Sequence, residues 1–262
     1  MAVMIGAMIL NPFTFLAVFA LICALAVREF CLILNNSESI SVSLPTPLLI
    51  AGSTYLMIAN SMYLLSGNLP ILVPYFLFLI YLLVQELYRK QENPLGNWAC
   101  AMLTQLYIAL PFALLTWIYT FYPIQHGYLL PLSIFVFLWM NDTGAYCVGS
   151  LIGKHRLFER ISPKKSWEGF FGGLALASAA GFLMYKIDAS LESIYNPYQW
   201  IGLSLVVAIF GTWGDLVESQ LKRTLGMKDS GNFLPGHGGV LDRFDSALLA
   251  IPAAFCYLIL LT

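Results

Sequence analysis

Carboxylates interrupt three apolar stretches of the chain: Asp142 in FLWMNDTGAY, Asp215 with Glu218 in GTWGDLVESQ, and Asp242 with Asp245 in GGVLDRFD. An ionised carboxylate in hydrocarbon costs roughly 2.5–3.5 kcal/mol on insertion scales, so such side chains face a cavity, a partner or a metal. The three-residue spacing puts Asp215 with Glu218, and Asp242 with Asp245, on one face of a helix each. Two acidic faces meeting at helix ends make a hard-oxygen site suited to Mg²⁺. That ion takes one or two protein carboxylates, keeps waters and binds substrate phosphates. The plainer alternative pairs Asp242 with Arg243 or Lys222 and merely neutralises the helix ends.

Two charged loops supply the complement. Ser162-Pro163-Lys164-Lys165-Ser166-Trp167-Glu168-Gly169 sets hydroxyls and two ammonium groups just ahead of an apolar run, where free N–H groups at a helix start also favour an anion. Lys222, Arg223 and Lys228 follow another run, and Gly236-His237-Gly238-Gly239 permits close backbone approach to a ligand. These are phosphate-binding materials. The chain has no GxxxxGK[ST] loop and no Ser-His-Asp arrangement with a nucleophile elbow, so the chemistry expected is direct phosphoryl or nucleotidyl transfer. Its 5 cysteines and 3 histidines are scattered without metal-ligand spacing, which argues against zinc.

The elements that must hold these residues are membrane spans. Of 262 residues, 59% are hydrophobic and only 10% charged, and the mean hydropathy is +0.77. A water-soluble domain has about 25% charged residues, so an all-α polytopic membrane protein is expected. The net charge of −1 offers no case for nucleic acid. Runs of about 20 apolar residues fall near 13–34, 46–65, 70–88, 99–122, 128–150, 169–186, 199–219 and 241–261. They predict a single membrane domain over 1–262, with N-terminal spans to about 122 and a catalytic portion over about 128–262.

Before these runs, MAVMIGAMIL is half the length of a span and ends at Asn11-Pro12. It reads as the back half of a ninth span or as a re-entrant stub. Lysine and arginine favour the cytoplasmic side. Alternating eight spans from an outside start leaves only Lys186 of the 13 basic residues outside. The charged loops then face the cytoplasm, and the C terminus lies outside.

Ser219-Gln220-Leu221-Lys222-Arg223, Lys228-Asp229-Ser230-Gly231 and Leu234-Pro235-Gly236-His237-Gly238-Gly239-Val240-Leu241-Asp242-Arg243-Phe244-Asp245 together resemble the signature of the phosphatidate cytidylyltransferases, or CDP-diacylglycerol synthases. Asn141-Asp142-Thr143-Gly144-Ala145-Tyr146, Gly153-Lys154 and the SPKKSWEG loop resemble the family's central segment. The likeness is close over the C-terminal half and lies in hydropathy alone over the N-terminal half, where the start is shorter than the family's usual full first span.

The resemblance implies transfer of the cytidylyl group from CTP to phosphatidic acid, giving CDP-diacylglycerol and pyrophosphate, in a bacterial cytoplasmic (inner) membrane. It implies Mg²⁺ held by Asp215, Asp242 and Asp245 with help from Asp142, and room for a second divalent or a monovalent cation. Asp215, Asp242, Lys222, Arg223 and His237 become the catalytic candidates. His237 would serve a phosphate or the loop backbone rather than act as a base, because a phosphate monoester near pH 7 is already largely ionised. Asn141, Asp142, Ser162, Lys164, Lys165, Lys228, Asp229, Gly238, Gly239 and Arg243 become the substrate-binding set. A homodimer is the family-based expectation. Two rivals stay open: a CTP-dependent enzyme acting on another lipid phosphate or a polyprenol-type alcohol, and an ion-coupled transporter, which would place its charges nearer mid-membrane.

Overall fold

The computed structural model describes residues 2–37, 40–63, 72–123, 126–190, 194–227 and 239–261. Lys228, Asp229, His237 and Gly238 of the expected site lie outside the described residues. The chain divides into two compact units, one formed by Met1–Thr120 with Thr224–Phe244 and the other by Phe121–Arg223 with Asp245–Thr262. The described signature residues 239–244 therefore cluster with the N-terminal helices, although in sequence they belong to the C-terminal portion.

In the first unit, α1 (Ala2–Leu10) and α2 (Pro12–Leu34) meet at Asn11. The Asn11 side chain accepts from the Phe13 N–H at 2.8 Å. Pro12 fits the first turn because its missing N–H would have been an orphan there. Phe15, Phe19 and Phe30 on α2 and Phe112 farther along are fully buried and form the core of this unit. The α3 helix spans Pro45–Tyr63 and α4 spans Leu72–Arg89. Phe76, Ile80, Leu83 and Leu87 make an exposed apolar stripe on α4 at helical spacing, as expected of a lipid-facing side.

The next run is one continuous helix over Pro94–Phe121. It is built from α5 (Pro94–Thr104), a π turn (Gln105–Ala109) and α6 (Leu110–Ile118). Pro111 lacks the N–H an α turn would use, and the wider π turn just ahead of it accommodates that gap.

The second unit contains α7 (Leu129–Ile152), α8 (Trp167–Ala189), α9 (Pro197–Thr224, whose last residue belongs to the first unit) and α10 (Asp245–Ile259). Between α7 and α8, the expected loop folds as a hairpin of β1 (Arg156–Phe158) and β2 (Ser162–Ser166). Its antiparallel register pairs Arg156 with Ser166 and Phe158 with Ser162.

The α7–α8 contact is backbone against backbone. A Cβ on Gly144 would lie 2.6 Å from the Gly172 carbonyl oxygen, and one on Gly169 would lie 2.8 Å from that of Ala145. Small residues allow this approach where no hydrophobic driving force separates helix from lipid.

All eight expected spans have helical counterparts. Among the described residues four helices, Pro12–Leu34, Pro94–Phe121, Trp167–Ala189 and Pro197–Thr224, are long and apolar enough to cross a membrane by themselves, at 23 to 28 residues. The α7 helix has 24 residues, and its midpoint is made polar by Asn141-Asp142-Thr143-Gly144. The fold is that of an all-α polytopic membrane protein with one small hairpin.

One expectation is corrected. Asp242 and Asp245 do not share a helix face, because α10 begins only at Asp245 and Asp242 lies in a separate 3₁₀ turn, Leu241–Arg243. The Asp242 carboxylate accepts the Gly239 N–H at 3.0 Å. Its side chain thus ties the turn to the preceding residues instead of opening a helix.

Candidate active site

Four elements of the second unit bring charge together. Asp142 comes from α7, Lys165 from β2, Asp215 from α9 and Asp245 from the first turn of α10. Lys165 Nζ lies 2.5 Å from Asp215 Oδ2, and Ser219 Oγ donates to Asp215 Oδ1 at 3.2 Å. Asp142, Asp215 and Asp245 are close enough for each to feel a neighbour's charge, and Lys165 acts on Asp142 as well. The α9–α10 approach follows from Gly214, where a Cβ would lie 2.7 Å from the Asp245 carbonyl oxygen. A larger residue would push Asp215 away from Asp245.

Beside this cluster is a cavity of about 460 Å³, lined by Asn141, Asp142, Tyr146, Arg156, Lys164 and Lys165 among others. Asn141 is buried. Its Nδ2 donates to Thr212 Oγ1 at 3.2 Å, while its Oδ1 has no partner among the described residues. Three cations together with an amide and a carboxylate in one lining suit a ligand bearing both phosphate and polar heteroatoms.

The basic wall is held by its surroundings. Ser166 caps α8 by accepting the Gly169 N–H at 3.1 Å. The Glu168 carboxylate receives the N–H groups of Lys154 and His155 at 3.2 Å each, and its Oε1 lies 2.6 Å from His155 Nδ1. The hairpin rests on α9 through an edge-to-face contact of Phe158 with Trp213, centroids 5.8 Å apart. Glu168 of the SPKKSWEG motif thus shapes the loop that presents the lysines.

The expected residues are therefore sorted. Asn141, Asp142, Lys164 and Lys165 line the cavity, and Asp215 and Asp245 stand by it. Ser162 opens β2 opposite Phe158 and does not line the cavity, whereas Ser166 does. Lys222 lies 3.2 Å from the fully buried Glu218 one turn earlier, so the expected Asp215–Glu218 acidic face is countered by a lysine at each carboxylate. Arg223 is exposed near the end of α9. Arg156, Tyr146 and Thr212 are lining residues that the sequence did not single out. Arg156 lies in the hairpin, Tyr146 on α7 one turn after Asp142, and Thr212 on α9 one turn before Asp215. Among the described residues no three His, Cys, Asp or Glu side chains gather as a metal-holding group.

In the first unit, Gly239, Asp242 and Arg243 sit at the 3₁₀ turn. Glu29 of α2 reaches this turn and accepts the N–H groups of Val240 at 2.7 Å and Leu241 at 3.2 Å. Phe244 stacks edge-on against Phe112, centroids 5.3 Å apart. Glu29 is absent from the sequence-based candidates, since it stands apart from the carboxylate pairs and basic loops that marked the others.

Fold and site thus define a polytopic membrane protein with a cation-walled cavity flanked by carboxylates. Over residues 1–261 the chain matches the cytidylyltransferase family, and it belongs to that family. It is similar to the phosphatidate cytidylyltransferase of Staphylococcus aureus (strain COL), at 47% identity over 122 residues, covering 46% of this chain and 45% of the relative. The protein of that name from Staphylococcus haemolyticus (strain JCSC1435) is 47% identical over 122 residues, with the same coverage. That of Staphylococcus epidermidis (strain ATCC 12228 / FDA PCI 1200) is 48% identical over 121 residues, covering 46% of this chain and 45% of the relative. The matched stretch spans somewhat under half the length of these curated relatives.

Proposed function

We infer that the protein transfers the cytidylyl group of CTP to phosphatidic acid at the cytoplasmic face of a bacterial membrane, releasing pyrophosphate and forming CDP-diacylglycerol. The observation that carries this reading is the Lys165–Asp215 pair, within electrostatic reach of Asp142 and Asp245 and beside a cavity lined by Arg156 and Lys164. Membership of the cytidylyltransferase family directs that chemistry to a nucleotide. The names of the relatives direct it to phosphatidate. The cytoplasmic orientation is supported by the lysine and arginine distribution.

In the transfer, a phosphate oxygen of phosphatidic acid forms a bond to the α-phosphorus of CTP while the bond from that phosphorus to the bridging oxygen breaks, and pyrophosphate leaves with the electron pair. The attacking phosphate is already ionised near pH 7, so neither a covalent enzyme intermediate nor a strong base is required. Arg156, Lys164 and Lys165 bind phosphate oxygens, and the ion pair with Asp215 holds Lys165 at the wall before substrate arrives. Asn141 and Thr212 orient the polar part of the ligand. Fixing both substrates in one geometry supplies the largest share of the acceleration.

Carboxylates from separate helices are the oxygen donors Mg²⁺ prefers. Because that ion needs only one or two of them, with phosphate and water completing its shell, the absence of a three-carboxylate group among the described residues is compatible with it. Asp215 and Asp245 would hold it, with Asp242 added on the strength of the signature motif alone. Bound there, the ion would offset charge on the triphosphate and on the leaving pyrophosphate.

The test is purified protein in mixed micelles with CTP labelled at the α-phosphorus, phosphatidic acid and Mg²⁺. Label should pass to the lipid with one pyrophosphate released per transfer. Label passing only to another lipid phosphate, or phosphate passing to a polyprenol-type alcohol, would replace phosphatidate in this reading. Solute flux into sealed vesicles without CTP consumption would replace the enzyme altogether.

A further inference from the structure

We propose that Glu29 is a positioning residue for the turn that carries Asp242 and Arg243. Glu29 lies on α2 and is only 8% exposed. Its two carboxylate oxygens take the Val240 N–H at 2.7 Å and the Leu241 N–H at 3.2 Å, from a segment 211 and 212 residues later in the chain. The first N–H groups of any helical turn lack partners within it, and Val240, the residue at this turn's N-cap, has no side-chain cap of its own. Glu29 supplies the missing cap from another helix. With Gly239 N–H donating to Asp242 Oδ2 at 3.0 Å, three successive backbone N–H groups end on two carboxylates.

A carboxylate is the side chain this task requires. Two adjacent N–H donors need two acceptors, and bonds to an ionised acceptor are shorter and stronger than neutral ones. Glutamine would keep one acceptor and turn an NH₂ against the second N–H. Aspartate keeps both oxygens on a side chain one methylene shorter. At its other end the turn is followed by Phe244, held against Phe112, so Glu29 fixes the start of the turn on which Asp242 and Arg243 sit.

The catalytic part of this inference rests on the function proposed above, and its test separates the two. In full-length Glu29→Gln protein, hydrogen–deuterium exchange at Val240 and Leu241 should rise at least tenfold while protection along α2 and the unfolding temperature in detergent hold. The kcat for cytidylyl transfer should fall tenfold or more, with KM for CTP changing less than threefold. Glu29→Asp should recover part of both effects, and it carries the same readouts if the glutamine variant does not fold. Unchanged exchange at 240–241 would overturn the anchoring. Faster exchange with unchanged kcat would overturn the positioning role. A wild-type protein inactive on CTP and phosphatidate would overturn the proposed function and leave the exchange measurement to decide the anchoring.

Discussion

Replacing Gly173 by alanine probes whether the α7–α8 seam sets the cavity. The new Cβ would lie 2.4 Å from Asn141 Oδ1, about 0.6 Å inside the 3.0 Å that real Cβ contacts keep, and 2.8 Å from the Asn141 carbonyl oxygen. The side chain could swing aside, but the carbonyl is main chain, so α7 itself must retreat by a few tenths of an ångström. Overpacking of this kind costs about 1–3 kcal/mol. A misplacement of about 1 Å costs on the order of a hundredfold in rate, so a shift of roughly half that at Asn141, next to Asp142, should slow turnover by about tenfold. The assay is the initial rate of label transfer in mixed micelles, read with thermal unfolding in detergent. Gly52→Ala on α3 is the control, since nothing lies within 4 Å of its Cβ position; it should leave the rate intact and stabilise by up to about 1 kcal/mol. A Gly173→Ala protein as fast and as stable as wild type would refute the claim that close approach of these backbones places the site.

Other substitutions test the charges. Asp215→Asn should abolish nearly all transfer with the protein still folded, and Lys165→Met should do likewise. Because the two side chains share one 2.5 Å contact, the double variant should lose far less than the sum of the singles; additive losses in the rate assay would show that they act independently. Asp188, fully buried near the end of α8, receives the Tyr122 hydroxyl at 2.7 Å and the Trp200 indole N–H at 2.9 Å. Asp188→Asn turns a donor toward a donor and should cost about 1–3 kcal/mol in detergent unfolding, with the specific activity of the folded fraction unchanged.

The helices were legible because spanning hydrocarbon imposes a length and a composition that few other demands mimic. The break at Asn11-Pro12 was legible for the same local reason, a cap and a missing N–H. The start of the last helix was not. Val240 and Leu241 continue the apolar pattern, so the sequence places Asp242 and Asp245 on one helix, while Glu29 and the Gly239–Asp242 bond stabilise a separate turn. That competing interaction comes from more than two hundred residues away and leaves no periodic trace. Lys164, Lys165, Asp142 and Asp215 were readable as charges that needed a reason to be in an apolar chain. As site residues Arg156 and Tyr146 were not, because the short β1–β2 hairpin that brings Arg156 to the cavity has no alternation long enough to recognise, and Tyr146, though it closes the NDTGAY segment, has no charge to set it apart from the other aromatics of a span.

The glycine seam also bears on how the second unit answers to its bilayer. A helix longer than the hydrocarbon is thick tilts, at a cost of a fraction of a kcal/mol per ångström of mismatch. Where side chains mediate contact, two neighbouring helices can lean by different amounts as rotamers readjust. Where Gly144 meets Gly172 and Gly173, and Gly169 meets Ala145 and Gly149, the nearest atoms are largely main chain, which has no rotamers to give. The α7–hairpin–α8 assembly must therefore lean as one body, carrying the cavity walls with it, and a membrane that thickens or thins will reorient that part of the site before it deforms it.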